Sequence, residues 1–168
     1  MNNFKEIPCE KINKNTFEMI GKQWMLVTAE KEGKVNTMTA SWGGMGVMWG
    51  KNVVFVVIRP QRFTKEFIDN SETFSLTFLS EEYRKTLNYL GTVSGRDEDK
   101  ILKSGLTVDF LDKTPYFVQA ETVIKCKKLY NQYFTEDSFI DKNIINKWYN
   151  KDYHMLYIAE IEKVLIKE

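Results

Sequence analysis

One histidine, two cysteines and four arginines are all the chain has of three chemically versatile side chains. A lone histidine, His154, excludes multi-histidine metal centres and leaves little material for Ser/His catalysis. Cys9 and Cys126 stand far apart with no CxxC spacing, so neither a zinc site nor a disulfide framework is expected. Charge of one sign is also missing: 24 Lys plus Arg face 23 Asp plus Glu. That balance supplies no general field for nucleic acid or an anionic membrane, so any anion site must be a local arrangement. The longest apolar run, "VVFVVI", is far too short to span a bilayer. The opening "MNNFKEIPCEKI" lacks the apolar core of a signal peptide, and a cytoplasmic protein is expected. No Ser/Gly/Pro-rich linker or internal repeat breaks the 168 residues, which read as one domain, 1–168.

What the chain does contain is apolar mass, 43% of residues with 14% aromatic, enough for a real core rather than a disordered segment. "KQWMLVTAE" reads as a strand and "KEGK" as the turn into a hairpin partner, "VNTMTAS". On that partner Val35, Thr37, Thr39 and Ser41 fall on one side, with Asn36, Met38 and Ala40 on the other. "NVVFVVI" is a strand buried on both faces that must stop at Arg59-Pro60. "RFTKEFIDN" has the spacing of a short helix, and "TFSLTFL" returns as a strand. "SEEYRKTLNYLG" predicts a helix capped by Ser80 and ending at Gly91, and "SGRDEDKILKSG" another capped by Ser94 with Asp97 three residues on. "AETVIKCKKLY" is a long strand and "KNIINKWY" a short helix. "HMLYIAEIEKVLI" closes the chain as a strand whose phase slips near Lys163, as at a bulge. Long strands with small helices in their connections predict a mainly β fold, an antiparallel β-barrel with α-helical insertions.

Three segments carry residue types suited to chemistry. In "VVFVVIRPQRFTKEF" a core strand emerges into Arg59 and Arg62, with Thr64 at a helix start. Two guanidiniums, a hydroxyl and free helix N–H groups suit a phosphate. Simple pairing of both arginines with nearby acids is about as good a reading. In "GTVSGRDEDK", Thr92, Ser94, Gly95 and Arg96 precede a helix and offer backbone N–H groups and a cation to an anion or a carbonyl edge, although an ordinary capped helix uses the same letters. In "NTMTASWGGMGVMWGK" the hydroxyls of Thr37, Thr39 and Ser41 share a face that continues into Trp42 and a Gly-Gly turn, a candidate edge for a planar heterocycle. A solvated strand face followed by a loop explains that segment equally. Three of the four arginines fall in the first two segments, where a planar, multi-donor cation is useful.

Together and in this order, the three segments resemble the FMN-binding split-barrel family of flavin reductase-like proteins, most closely its small flavoredoxin-like members. The likeness runs from about Trp24 to Leu129 and resumes at "YHMLYIAEI". The resemblance implies a Greek-key-like split β-barrel and a homodimer with one FMN per subunit near the interface. By the same token Asn36, Thr37, Thr39, Ala40, Ser41 and Trp42 lie along the isoalloxazine and ribityl chain, and Arg59, Arg62 and Thr64 hold the phosphate. Ser94, Gly95, Arg96 and Lys100 close over the flavin or its tail. Residues 131–152 match no motif and are expected to cover the substrate side. Gly43 to Gly50 is expected as a turn near the subunit interface. No catalytic side chain is required beyond the cofactor, to which NADH or NADPH delivers hydride at flavin N5. His154 is given a donor-positioning place, and no metal is expected. The resemblance leaves two activities open: an NAD(P)H-dependent flavin reductase, or a flavoredoxin-like carrier that keeps FMN and exchanges electrons with a protein partner. A split-barrel oxidase acting on another phosphorylated cofactor fits the motifs less well.

Overall fold

A computed structural model describes residues 3–168. Ten strands follow the chain: β1 (Phe4–Ile7), β2 (Met25–Lys31), β3 (Lys34–Ala40), β4 (Gly43–Met48), β5 (Lys51–Ile58), β6 (Thr73–Phe78), β7 (Val108–Leu111), β8 (Thr114–Phe117), β9 (Thr122–Tyr133) and β10 (Met155–Lys167). Between them lie the helices α1 (Thr16–Glu18), α2 (Phe63–Asn70), α3 (Arg84–Thr92), α4 (Lys100–Ser104) and α5 (Asn143–Trp148). All pairings are antiparallel. The main sheet runs β3-β2-β6-β9-β10-β5-β4, with β1 added along β10, and β7-β8 form a separate hairpin. The chain thus has the mainly antiparallel, helix-decorated architecture of a split barrel.

The patterning of β2 explains how the sheet is covered. Met25, Leu26, Val27, Thr28 and Ala29 are all buried, so both faces of this strand are packed. Met25 and Val27 join Val54, Val56, Ile58, Phe74, Ile124 and Tyr157 in the barrel interior. Leu26 turns the other way, to Leu79, Leu87, Leu90, Phe117 and Val123, beneath α3 and the β7-β8 hairpin. At nine residues α3 is too short to persist alone. Burying Leu87 and Leu90, at about 1.5–3 kcal/mol each, fixes it against the sheet beside β3.

The strands expected from β2 onward are present, and the slip near Lys163 is a register shift of β10 against β9 between Ile161 and Lys163. Four local expectations are corrected. Residues 43–48 are not a turn but β4, paired with β5. Gly43 has φ +148°, and a Cβ there would run into the Phe55 carbonyl oxygen, so glycine permits a close strand approach rather than a loop. The helix after Ser94 begins only at Lys100, where Asp99 Oδ1 accepts from Leu102 N–H, while Ser94 Oγ accepts from Arg96 N–H in the preceding turn. Ser80 caps no backbone N–H, and α3 continues through Gly91 to Thr92. The first two residues of the expected first strand, Lys22 and Gln23, belong instead to a π-turn that ends at Trp24, φ +70°.

Candidate functional site

β3 ends the path of the main sheet, bonded to β2 on one side and to no strand on the other among the described residues. Helices α2 and α3 pack against it. Its side chains divide three ways. The Thr37 hydroxyl is buried against Thr28 Oγ1 at 2.8 Å and the Val27 carbonyl at 3.2 Å, so it is spent within the hairpin. Thr39 Oγ1 donates to the Leu87 carbonyl at 2.5 Å, tying the strand to α3. Asn36 Nδ2 donates to Thr64 Oγ1 at 2.9 Å, joining it to the first turn of α2.

That first turn faces a cavity of ≈290 Å³, lined by Arg62, Phe63 and Thr64 from α2 and its cap, and by Thr92, Val93, Ser94, Gly95 and Lys100, with Met38 and Gln61. Arg62 gives one hydrogen bond, Nη1 to the Gly91 carbonyl at 2.9 Å, and has no carboxylate partner among the described residues. Lys100 is buried, its ammonium donating to the Leu90 and Val93 carbonyls at 2.9 Å each, which satisfies the C-terminal turn of α3. Burial, with the Arg62 charge beside it, pulls its pKa down to about 8. Gly95 is required here by packing, since a Cβ would collide with Asn36 Oδ1. A guanidinium, an ammonium, hydroxyls and the start of an eight-residue helix converge, a donor-rich set with no acid in its lining, suited to an anion.

A second cavity of ≈170 Å³ shares Met38 and Arg62 with the first and continues along Thr39, Ala40, Ser41 and Trp42 to Val57, Arg59, Trp148 and His154. Its walls are flat and aromatic: Trp42 meets Trp148 edge to face at 5.0 Å and lies 5.3 Å from the His154 ring. His154 Nδ1 pairs with the Tyr149 hydroxyl at 2.9 Å. Burial, and then the Arg59 charge, lower its pKa to about 4, so the imidazole is neutral at physiological pH. Arg59 is fully engaged: it pairs with Asp152, donates from Nη2 to the Trp148 carbonyl at 2.8 Å and lies over the Tyr149 ring at 5.2 Å. Asp152 also accepts from Asn150 N–H at 2.8 Å and Gln61 Nε2 at 2.9 Å, which with Arg59 hold its carboxyl well below the usual range.

Thr39, Ala40, Ser41, Trp42, Arg59, Arg62, Thr64, Ser94, Gly95, Lys100 and His154 therefore border two joined cavities. Asn36 stands behind Thr64, and Thr37 borders neither. Arg96 lies outside both, paired with Glu66, bonded to the Gln61 carbonyl at 3.1 Å and stacked on Phe63 at 4.6 Å. Met38, Val57, Gln61, Phe63, Val93 and Trp148 also line the cavities and were not foreseen as site residues. Only Trp148 carried a signal, an aromatic beside a lysine in a short helix, and that signal does not say which cavity it borders. A larger depression of ≈470 Å³ lies at the Glu30–Lys31 end of the β2-β3 hairpin. Size does not make it the better site, because its charges neutralise one another: Lys125 with Glu162 at 3.0 Å and Lys127 with Glu72 at 3.0 Å. Among the described residues no cluster of His, Cys, Asp or Glu could hold a metal ion, and no helix is long and apolar enough to cross a membrane.

Comparison with known proteins gives one family match. The model described as "Flavin reductase like domain" matches residues 17–168. No curated protein matches. Among solved structures, the FMN-binding domain of a flavin reductase-like enzyme from Shewanella baltica is similar with a TM-score of 0.72 and 20% identity, over 99% of this chain and 78% of that one. A flavoredoxin from Methanosarcina acetivorans gives 0.69 and 23%, over 96% and 76%. The styrene monooxygenase flavin reductase from Pseudomonas putida gives 0.64 and 16%, over 87% and 80%. At these identities the structural likeness shows a shared fold.

Proposed function

Because the chain belongs to the flavin reductase-like domain family, we propose that it is an FMN-binding oxidoreductase, a flavin reductase driven by NADH or NADPH. The observation that carries this reading is Arg62, a half-buried guanidinium without an acidic partner among the described residues, placed where an anion-type cavity meets a flat aromatic one. A flavin mononucleotide has those two chemistries, a phosphate and a planar ring, joined by a short polar chain. In this assignment Arg62, Thr64, Ser94, Gly95 and Lys100 surround the phosphate, with Asn36 holding Thr64 in place. Thr39, Ala40, Ser41 and Trp42 follow the ribityl chain and the ring edge. Arg59 and His154 border the ring face, and Thr37 and Arg96 act from behind as supports for β3 and α2.

FMN, when bound, supplies the hydride and electron chemistry. The chain's work is to bind, orient and exclude water. The neutral His154, fixed through Nδ1 by Tyr149, presents an uncharged ring to the cavity rather than an acid or base. Backbone groups along the unpaired edge of β3 supply fixed dipoles beside the ring edge, and dipoles that need no reorganisation are an effective way to stabilise developing charge. The aromatic wall of Trp42 and Trp148 favours a second reading. An exposed aromatic pair beside a small ring cavity suits a flavoredoxin-like carrier that passes electrons to a protein partner.

The first test is whether the purified protein is yellow or turns yellow with added FMN, with the released chromophore identified by mass spectrometry. A colourless protein that takes up no FMN overturns the proposal. Arg62→Ala removes a charge-assisted contact of about 1.5–3 kcal/mol and should weaken FMN at least about tenfold while leaving riboflavin affinity nearly unchanged. An unaltered FMN-to-riboflavin ratio would move the phosphate elsewhere. Sustained oxidation of NADH or NADPH with added FMN distinguishes the reductase from the carrier, whose bound flavin is reduced only by its protein partner.

A further inference from the structure

Residues 134–154 connect β9 to β10, two strands that lie side by side in the sheet. A few residues suffice for such a connection, and loops of this length in compact domains commonly carry a function of their own. No residue from 134 to 153 is buried. The segment packs largely on itself, with Phe139 against Phe134, Tyr149 and Tyr153 at ring distances of 5.4–6.0 Å. Few buried apolar contacts and an exposed backbone place it at the low end of local stability.

Its ties to the rest of the molecule concentrate at one point. Among the described residues, all the polar contacts of the Arg59 side chain, at the exit of β5, go to this segment: the Asp152 carboxylate, the Trp148 carbonyl and the face of Tyr149. Gln61 adds a second donor to the same carboxylate oxygen. Arg62, three residues on, gives its side-chain hydrogen bond to the Gly91 carbonyl instead. The two arginines of one short stretch have therefore divided their work. The consequence for the site is the placement of Trp148, which the Arg59 contacts hold across the ring cavity against Trp42.

We propose that residues 134–153 form a lid over the ring cavity, that the Arg59–Asp152 pair with the Trp148 carbonyl is its latch, and that Arg59 is a positioning residue for Trp148 rather than a ligand of the phosphate. The lid requires only the geometry of the cavity; its effect on flavin binding rests on the FMN reading proposed above. With the latch closed, Trp148 walls the cavity. With the latch open, the wall is lost and a planar ring enters or leaves freely.

The test uses the full chain without ligand. Arg59→Ala, the near-isosteric Asp152→Asn and the double variant are compared with wild type by limited trypsin digestion at Lys142, Lys147 and Lys151. Circular dichroism verifies that each variant is folded. Loss of the charge-assisted pair should raise the cleavage rate about tenfold in either single variant. The double variant should be cut no faster than Arg59→Ala, because the Arg59–Asp152 pair is already lost there. Arg59→Lys, which keeps a cation opposite Asp152, should recover part of the protection. Wild-type protection in Asp152→Asn, or additive effects in the double variant, would overturn the latch. A second arm measures FMN and riboflavin binding. Arg59→Ala should shift both by the same factor, unlike Arg62→Ala, and a loss confined to FMN would make Arg59 a phosphate ligand and overturn its positioning role. A wild-type protein that binds neither flavin sinks the FMN reading and leaves the digestion result to decide the lid.

Discussion

Lys100 is one of twenty lysines in the chain, and nothing in "DEDKILKSG" separates it from its neighbours. The fold does, by closing α3 over it so that two helix-end carbonyls accept hydrogen bonds from its ammonium and burial lowers its pKa to about 8. The sign of the consequence follows. Against an unfolded value of about 10.4, the native state binds the proton less well, so this group makes stability rise as pH climbs from about 8 to about 10. A phosphate beside the ammonium favours the protonated form, so binding must restore a proton lost above pH 8. FMN affinity is therefore expected to fall as pH rises past about 8, a limb that Lys100→Met should flatten and that riboflavin should lack, read by flavin-fluorescence titration. The arginines teach a related lesson. Arg59 and Arg62 were indistinguishable as letters because their difference lies in a carboxylate ninety-three positions away from Arg59. Of the hydroxyl stripe, Thr37 and Thr39 lie on β3 and Ser41 falls just beyond its end, and burial assigned Thr37 to the hairpin and Thr39 to α3, which no local pattern encodes.

At the scale of elements, the periodic ones were legible and the exceptional ones were not. β2, β5, β6, β9 and β10 announce themselves through apolar patterning that the sheet then uses. β4 was hidden because "GGMG" carries the composition of a turn, whereas its first glycine, Gly43, serves close backbone approach. Gly43→Ala combines a strained φ with a clash against the Phe55 carbonyl and should cost about 2 kcal/mol or more in urea unfolding. Gly46→Ala is the control: its Cβ would meet Phe55 Cε2 at 3.6 Å, an ordinary contact, and should cost under about 1 kcal/mol. The β7-β8 hairpin was missed for the opposite reason. Its turn places Asp112 and Lys113 at positive φ, 47° and 68°, without the glycine that normally marks such a turn. The late start of α4 has the same origin, since Ser94 and Asp99 are both competent caps and only tertiary packing chooses between them.

For the whole molecule, the antiparallel barrel followed from long strands joined by small helices, and the two joined cavities followed from bringing four distant segments to one end of the sheet. What composition did not display is the outer edge of β4. Val47 is 71% exposed and Trp49, just beyond the strand, is 59% exposed, an apolar surface on an unpaired edge. A second copy of the chain packed on this edge is the expected cover. Sedimentation should give twice the monomer mass, and Val47→Lys with Trp49→Lys should return it to the monomer; a wild-type monomer would refute the arrangement.

β10 lies between β9 and β5 in the sheet but comes last along the chain among the described strands. Until it emerges, β3, β2, β6 and β9 form one sheet fragment and β5 with β4 another, and no strand pairing among the described residues joins them. Thr39 to Trp42 sit at the edge of the first fragment, and Arg59 follows the second. The ring cavity, walled from both fragments and by His154 at the entry to β10, therefore takes shape only once β10 has paired with both, and a chain cut short before Met155 is expected to lack it.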